Sequence, residues 1–383
     1  MKYIQPRKFP VEQTRCIAKN LSCQHGLTLI ELMISIVLGL FLVGGVLSIF
    51  VSTNQTSKLN DNLMRVQENA RSAFDLMARD IREAGQNPCG ARKNIVNVLR
   101  ASGAIPVWTD WNMGTLRGYD DTEAATGIEA FGTAAATRIS GTDAFLIIRA
   151  DAAEKSIESH DTGSTIFTLT TTGSGFKEND IAFICDALSS AIFQIYDVST
   201  ASGKDEVDHQ ADNTNMNCGD FLGLPATPTT CPIASELKQF AVNTSTPEVR
   251  IAPLASSFWY VGNSGSGKRS LYRSKVTRSG TNGTTIIMKA DEIIPDVQDL
   301  QVTYLTRDGN TGTLADSWVA ASDITDWAAD STSVTTPAIQ RVVAVKLDLT
   351  LQTVDKVSAS QAVIQRHLLH VISLRNREAF VAP

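Results

Sequence analysis

Residues 27–51 read LTLIELMISIVLGLFLVGGVLSIFV, and Glu31 is the one ionisable side chain among them. Wound as an α-helix, 25 residues span about 37 Å, enough to cross a hydrocarbon core of roughly 30 Å. A helix apolar on every side has no wet face, so it belongs in lipid or in an equally dry protein interior. The flanks give it a direction. Residues 1–26 carry Lys2, Arg7, Lys8, Arg15 and Lys19 against the single acid Glu12, a net charge of +4. That asymmetry predicts a cytoplasmic N-terminus and an extracytoplasmic remainder. An ordinary secretory signal fits poorly. Its apolar stretch is about 7–15 residues, and no small-residue cleavage site precedes the polar Ser52-Thr53-Asn54-Gln55.

A carboxylate inside a membrane segment costs a few kcal/mol and needs a partner or a task. The simplest reading of Glu31 is snorkelling near the helix end. The sequence around it, Gly26-Leu27-Thr28-Leu29-Ile30-Glu31-Leu32-Met33, resembles the processing signal of type IV prepilins and type II secretion pseudopilins. That resemblance implies cleavage by a prepilin peptidase between Gly26 and Leu27. It also implies N-methylation and a role for Glu31 as the fifth mature residue. Leu27 departs from the phenylalanine usual at the first mature position. Cleavage would expose an α-amino group on Leu27. In a dry helix bundle that amine and Glu31 of a neighbouring subunit would neutralise each other, setting axial register. Gly39, Gly44 and Gly45 suit close helix packing and also permit local unwinding.

Beyond the apolar run, Leu59, Leu63, Val66, Ala70, Ala73, Met77, Ile81 and Ala84 recur at spacings of three and four, one face of a helix. Gly85 and Asn87-Pro88 are stop signals. One helix over about 27–84 follows, its second half amphipathic. After Gly90 short β-branched and alternating runs take over. Strands are expected at 144–149, 165–171, 181–185, 191–199, 258–262, 271–277, 284–289, 300–307 and 342–353. The segments near 200–235 and 308–335 look like surface insertions. The fold expected is therefore α+β: a long N-terminal helix packed on a mainly antiparallel sheet domain. Its divisions are a leader at 1–26, a membrane or filament-core helix at 27–51, an amphipathic continuation at 52–85 and a β-rich extracytoplasmic domain at 86–383.

Cys16 and Cys23 fall in the leader. Cys89, Cys185, Cys218 and Cys231 fall outside the membrane, where two disulfides are expected, with three possible connectivities. Cys218–Cys231 would close a short loop and Cys89–Cys185 would tie the helix end to a central strand, which is the preferred pairing. No cysteine pair has the x2 spacing of a zinc site. Gly262 to Lys268 matches G-x-x-x-x-G-K, but Arg269 stands where a phosphate loop needs Ser or Thr, and a strand follows where a helix is required. It reads as a hairpin loop. His367 and His370, three apart, would share a helix face but lack a third ligand. Acidic runs at 204–208 and 316–330 lack EF-hand spacing and read as solvated loops. No catalytic, metal or cofactor set emerges, and with 34 basic against 40 acidic residues nothing favours nucleic acid.

Further segments resemble the PilW-type minor pilins and the related J-type pseudopilins. They are Arg79 to Gly85, Cys185-Asp186 with Ile192 to Ile195, Ser270 to Arg273, Ile293 to Tyr304, and Val371 to Arg377. The resemblance implies a non-enzymatic subunit of a priming or tip complex that supports adhesion and twitching motility. It implies as partners other minor pilins, the major pilin, a PilY-type adhesin, the prepilin peptidase and the inner-membrane assembly platform. Residence would be single-pass in the inner membrane with a periplasmic β-domain, then in the pilus. Two alternatives stay open: a secretion pseudopilin of the J type, and a membrane-anchored periplasmic binding protein or enzyme. Removing the leader's five bases and one acid from totals of 34 and 40 leaves a mature chain at −10.

Overall fold

The computed structural model describes residues 28–90, 95–101, 103–161, 163–212, 214–225, 230–240, 242, 248–279, 285–308, 311–325, 327, 341–353 and 363–374. The chain divides into two compact units, up to Ser57 and from Lys58 onward. A single helix, α1 (Leu29–Arg82), runs through the division. In the first unit its side chains from Leu29 to Val51 are exposed, large apolar ones included.

In the second unit α1 buries Val66, Ala70, Ala73, Phe74, Met77, Ala78 and Ile81, while Leu59 and Leu63 are half-buried. Asn62 and Asp80 are buried on it as well. The helix ends one turn before Gly85, which takes φ +74°. A Cβ there would stand 2.9 Å from the Thr115 hydroxyl.

Among the described residues fifteen strands follow: β1 (Ile95–Asn97), β2 (Leu116–Tyr119), β3 (Ala144–Ala150), β4 (Lys155–His160), β5 (Ile166–Leu169), β6 (Ile181–Cys185), β7 (Ser190–Gln194), β8 (Asp197–Ala201), β9 (Lys204–Asp208), β10 (Arg250–Asn263), β11 (Arg269–Ser279), β12 (Thr285–Pro295), β13 (Val297–Arg307), β14 (Arg341–Gln352) and β15 (Gln365–Ser373). The first twelve make one branched sheet and the last three a second. Every pairing is antiparallel except β1 with β7. The branch point is β10. Its first residues, Arg250 to Pro253, pair with β6, while Leu254 onward pair with β3 and then β11. Pro253, which has no N–H to donate, sits where the partners change.

Three apolar clusters result. The first joins the α1 stripe to Phe145, Trp259 and Leu271 of one sheet and to Val345, Leu347, Leu349 and Ile372 of the other. A second lies around Phe183, Phe258 and Tyr260, and a third around Phe167, Phe193 and Phe240. Disulfides join Cys89 to Cys185 and Cys218 to Cys231, each with Cα atoms 5.9 Å apart.

Several expectations are corrected. The run 191–199 is two strands, β7 and β8. The region near 200, read as an insertion, opens with the β8–β9 hairpin, and the acidic run Lys204 to Asp208 is β9 itself. Ser202 and Gly203 both take positive φ, the backbone of a tight hairpin turn. Val207 and Asp205 are then buried while their neighbours stay wetter. His367 and His370 lie on a strand, not a helix, so three residues place them on opposite faces. The G-x-x-x-x-G-K match is the β10–β11 hairpin loop, in which Ser264 N–H bonds Lys268 O and Lys268 Nζ meets Asp296 at 3.1 Å.

Candidate assembly segment and helix junction

Gly26 and Leu27, the expected processing pair, lie outside the described residues. The description begins at Thr28, which caps α1. The Glu31 backbone N–H donates to Thr28 Oγ1 at 3.3 Å, and Glu31 Oε2 accepts from Thr28 N–H at 3.0 Å and from its hydroxyl at 2.9 Å. This reciprocal arrangement is a capping box: a threonine and a glutamate three residues on satisfy donors that a helix start leaves orphaned. Glu31 therefore has an intrachain partner as well as whatever an assembly supplies. From there the helix is long and apolar enough to cross a membrane by length and composition. Gly39, Gly44 and Gly45 have only open space around the position a Cβ would take.

At its other end α1 is bolted to the large sheet by a polar junction. Buried Asp80 accepts from Trp259 Nε1–H at 2.8 Å and lies 3.7 Å from the Arg273 guanidinium. Arg273 also lies over the Trp259 ring, 5.1 Å from its centroid. Glu83, one turn on, pairs with Arg149 at 3.2 Å. Just past the helix, Gly85 N–H bonds Ile148 O and Ala150 N–H bonds Gln86 O. The chain is thus stitched along β3 before Cys89 reaches Cys185.

Two further buried polar groups organise loops. The Arg138 guanidinium donates to the carbonyls of Tyr119, Asp120, Glu123 and Thr142 and lies over Phe131, which fixes the long β2–β3 connection. His160 accepts from Phe240 N–H at Nδ1 and donates from Nε2 to Ser164 O. Beside it His209 packs among Phe167, Phe193 and His160. Among the described residues neither ring nitrogen of His209 meets a hydrogen-bond partner. Burial, then the neighbouring His160, pushes its pKa down to about 3, against a weak opposing effect of its own backbone. Among the described residues no three His, Cys, Asp or Glu side chains form a metal set.

Sequence reasoning missed Asp80, Arg138 and His209. Asp80 carried a signal, since it stands three residues after Met77 and four before Ala84, on the apolar stripe. An acid there needs buried partners.

The Type IV Pilus-assembly protein W family model matches residues 258–369, from within β10 to within β15. The Prokaryotic N-terminal methylation motif matches residues 21–47, across the Thr28–Glu31 cap and most of the apolar run. These two matches support a type IV pilus minor pilin of the PilW type. No curated protein and no solved structure matches it. Its role lies in pilus assembly, and its partners are other pilus components. Pilin-family domains are structural, and the junction at Asp80 and the disulfides suit that role. The methylation motif and the apolar helix mark a membrane-anchored pilin that later enters the pilus.

Proposed function

We propose that this PilW-type pilin works in a priming or tip complex with other minor pilins and a PilY-type adhesin, supporting adhesion and twitching. The observation that carries the reading is the pairing of a methylation motif at one end with a PilW region at the other. The precursor is held single-pass in the inner membrane, N-terminus cytoplasmic and residues 86–383 periplasmic. The peptidase removes 1–26 by cutting between Gly26 and Leu27. Residues 27–51 then form filament core, 52–85 carry the domain, and the assembly platform extrudes the subunit toward the major pilin.

Immunogold labelling of sheared pili tests this. The expected result is sparse label at filament ends, with loss of twitching and most surface pili on gene deletion. Uniform label along filaments would reject the tip assignment. Normal piliation with lost protein secretion would instead support a J-type pseudopilin.

Glu31→Gln separates two roles of that side chain, because glutamine still completes a capping box while losing the charge. We expect the glutamine variant to be processed and membrane-inserted like wild type but to enter pili at a level at least about tenfold lower. Quantitative blotting of pilus and membrane fractions checks it. Equal incorporation would mean that the cap is all the residue provides.

A further inference from the structure

β15 is the open edge of the second sheet, and its alternation can be phased. Thr353 N–H bonds Ile364 O and Leu374 N–H bonds Val343 O, with an unbroken register between. In an antiparallel ladder alternate residues bond the partner. The even-numbered residues of β15 therefore bond β14. Gln365, His367, Leu369, Val371 and Ser373 direct their N–H and C=O groups away from it. Among the described residues these ten groups meet no strand. The same five side chains are exposed, Leu369 at 66% and Val371 at 55%.

The other edges are blunted in the usual ways. β12 carries Lys289, Asp291, Glu292 and Pro295 and pairs through a bulge. β8 is five residues long, β2 four and β1 three. The far edge of β13 is covered by bridges from Tyr304 to Val319 and from Arg307 to Leu314. β15 has nine residues, no proline, no bulge and one charge, Arg366.

We propose that β15 accepts an extended segment of another minor pilin as an added strand. The edge defines that segment. Residues opposite Leu369 and Val371 share their exposed face and must be apolar to cover them. Arg366, exposed on the opposite face and without an ion pair among the described residues, favours an acid there. Strand addition supplies affinity through the backbone and selectivity through alternate side chains. The inference rests on the chain working beside other pilus subunits and is independent of a place at the tip.

Leu369→Pro tests it. Its N–H lies outside the β14 ladder, so proline at this edge position leaves the fold intact and removes one docking bond. Leu368→Pro, which breaks the ladder, is the comparison. The full-length chain in detergent is mixed with each other purified minor pilin of the same pilus, and complexes are measured by co-elution. The expected result is a complex with one of them that Leu369→Pro weakens at least tenfold and Leu369→Ile retains. Leu369→Pro should melt within about 2 °C of wild type. The proposal is overturned if no minor pilin binds wild type, or if Leu369→Pro binds normally. It is also overturned if Leu369→Pro melts as low as Leu368→Pro, since the edge is then filled within the chain. A wild-type homodimer dissociated by Leu369→Pro would make a second copy the occupant and equally overturn it.

Discussion

Asp80→Ala lowers the stability of the folded domain by about 3–5 kcal/mol, the range for removing one partner of a buried ion pair. Three losses combine. The Trp259 indole N–H is left buried without its acceptor. The Arg273 guanidinium loses the carboxylate at 3.7 Å, although its Nε already lacks a hydrogen-bond partner among the described residues. The cleft that Asp80 lines with Leu76, Arg149 and Ser257 widens. The effect appears as a fall in melting temperature of about 6–15 °C for a domain of this size, measured by circular dichroism of the full-length chain in detergent. The decisive comparison is the double variant Asp80→Ala with Arg273→Met. Removing the stranded charge relieves part of the penalty, so the double variant melts higher than Asp80→Ala alone. Strict additivity would show that Arg273 finds enough water in the adjoining cleft and that the junction is chiefly the tryptophan bond.

That junction marks where the sequence stops being legible. The helix could be read end to end because its apolar run is long and its later stripe keeps a period of three and four from Leu59 to Ala84. β14 could be read because Val343, Val345, Leu347, Leu349 and Leu351 alternate with polar neighbours, one face dry and one wet. β15 could not. Leu368 and Ile372 face the core while Leu369 and Val371 face out, so apolar residues sit on both faces and the period of two vanishes. β9 was masked by its acids, and only the backbone conformation of Ser202-Gly203 reveals the hairpin. At the N-terminus the pattern Thr28-x-x-Glu31 held two messages at once, a processing signal and a capping box. His160 and His209 left no trace in the sequence because their proximity depends on β4 and β9 both flanking β5, a pairing no local pattern encodes.

His209 sets the larger of two opposing acid responses. Its folded-state pKa of about 3 lies below the ordinary 6.5, so the neutral ring contributes stability that is complete above pH 6.5 and is lost as pH falls toward 3. The limiting loss is about 5 kcal/mol, and about 2–3 kcal/mol is already gone at pH 4.5. The groups facing it from β4, β5 and β7 are His160, Phe167 and Phe193, so among the described residues no carboxylate is placed to accept the charge. His160 adds to the effect in the same direction, since burial lowers its pKa and protonation would displace Phe240 N–H from Nδ1. Asp143 works the other way. Burial raises its pKa to about 6 despite the bond from Val302 N–H, so its contribution is complete below about 4 and lost as pH rises through 6. Wild type therefore shows a muted acid response in which the two groups partly cancel. His209→Phe suits a nest of phenylalanines and carries no nitrogen to protonate. It should melt within a few degrees of wild type at pH 7.5 and about 4–8 °C above it at pH 4.5. Asp143→Asn should gain stability at pH 8 and match wild type near pH 4. Melting curves of the three chains from pH 4 to 8 separate the contributions. Parallel curves for wild type and His209→Phe would mean that the imidazole reaches solvent or a partner in the folded chain.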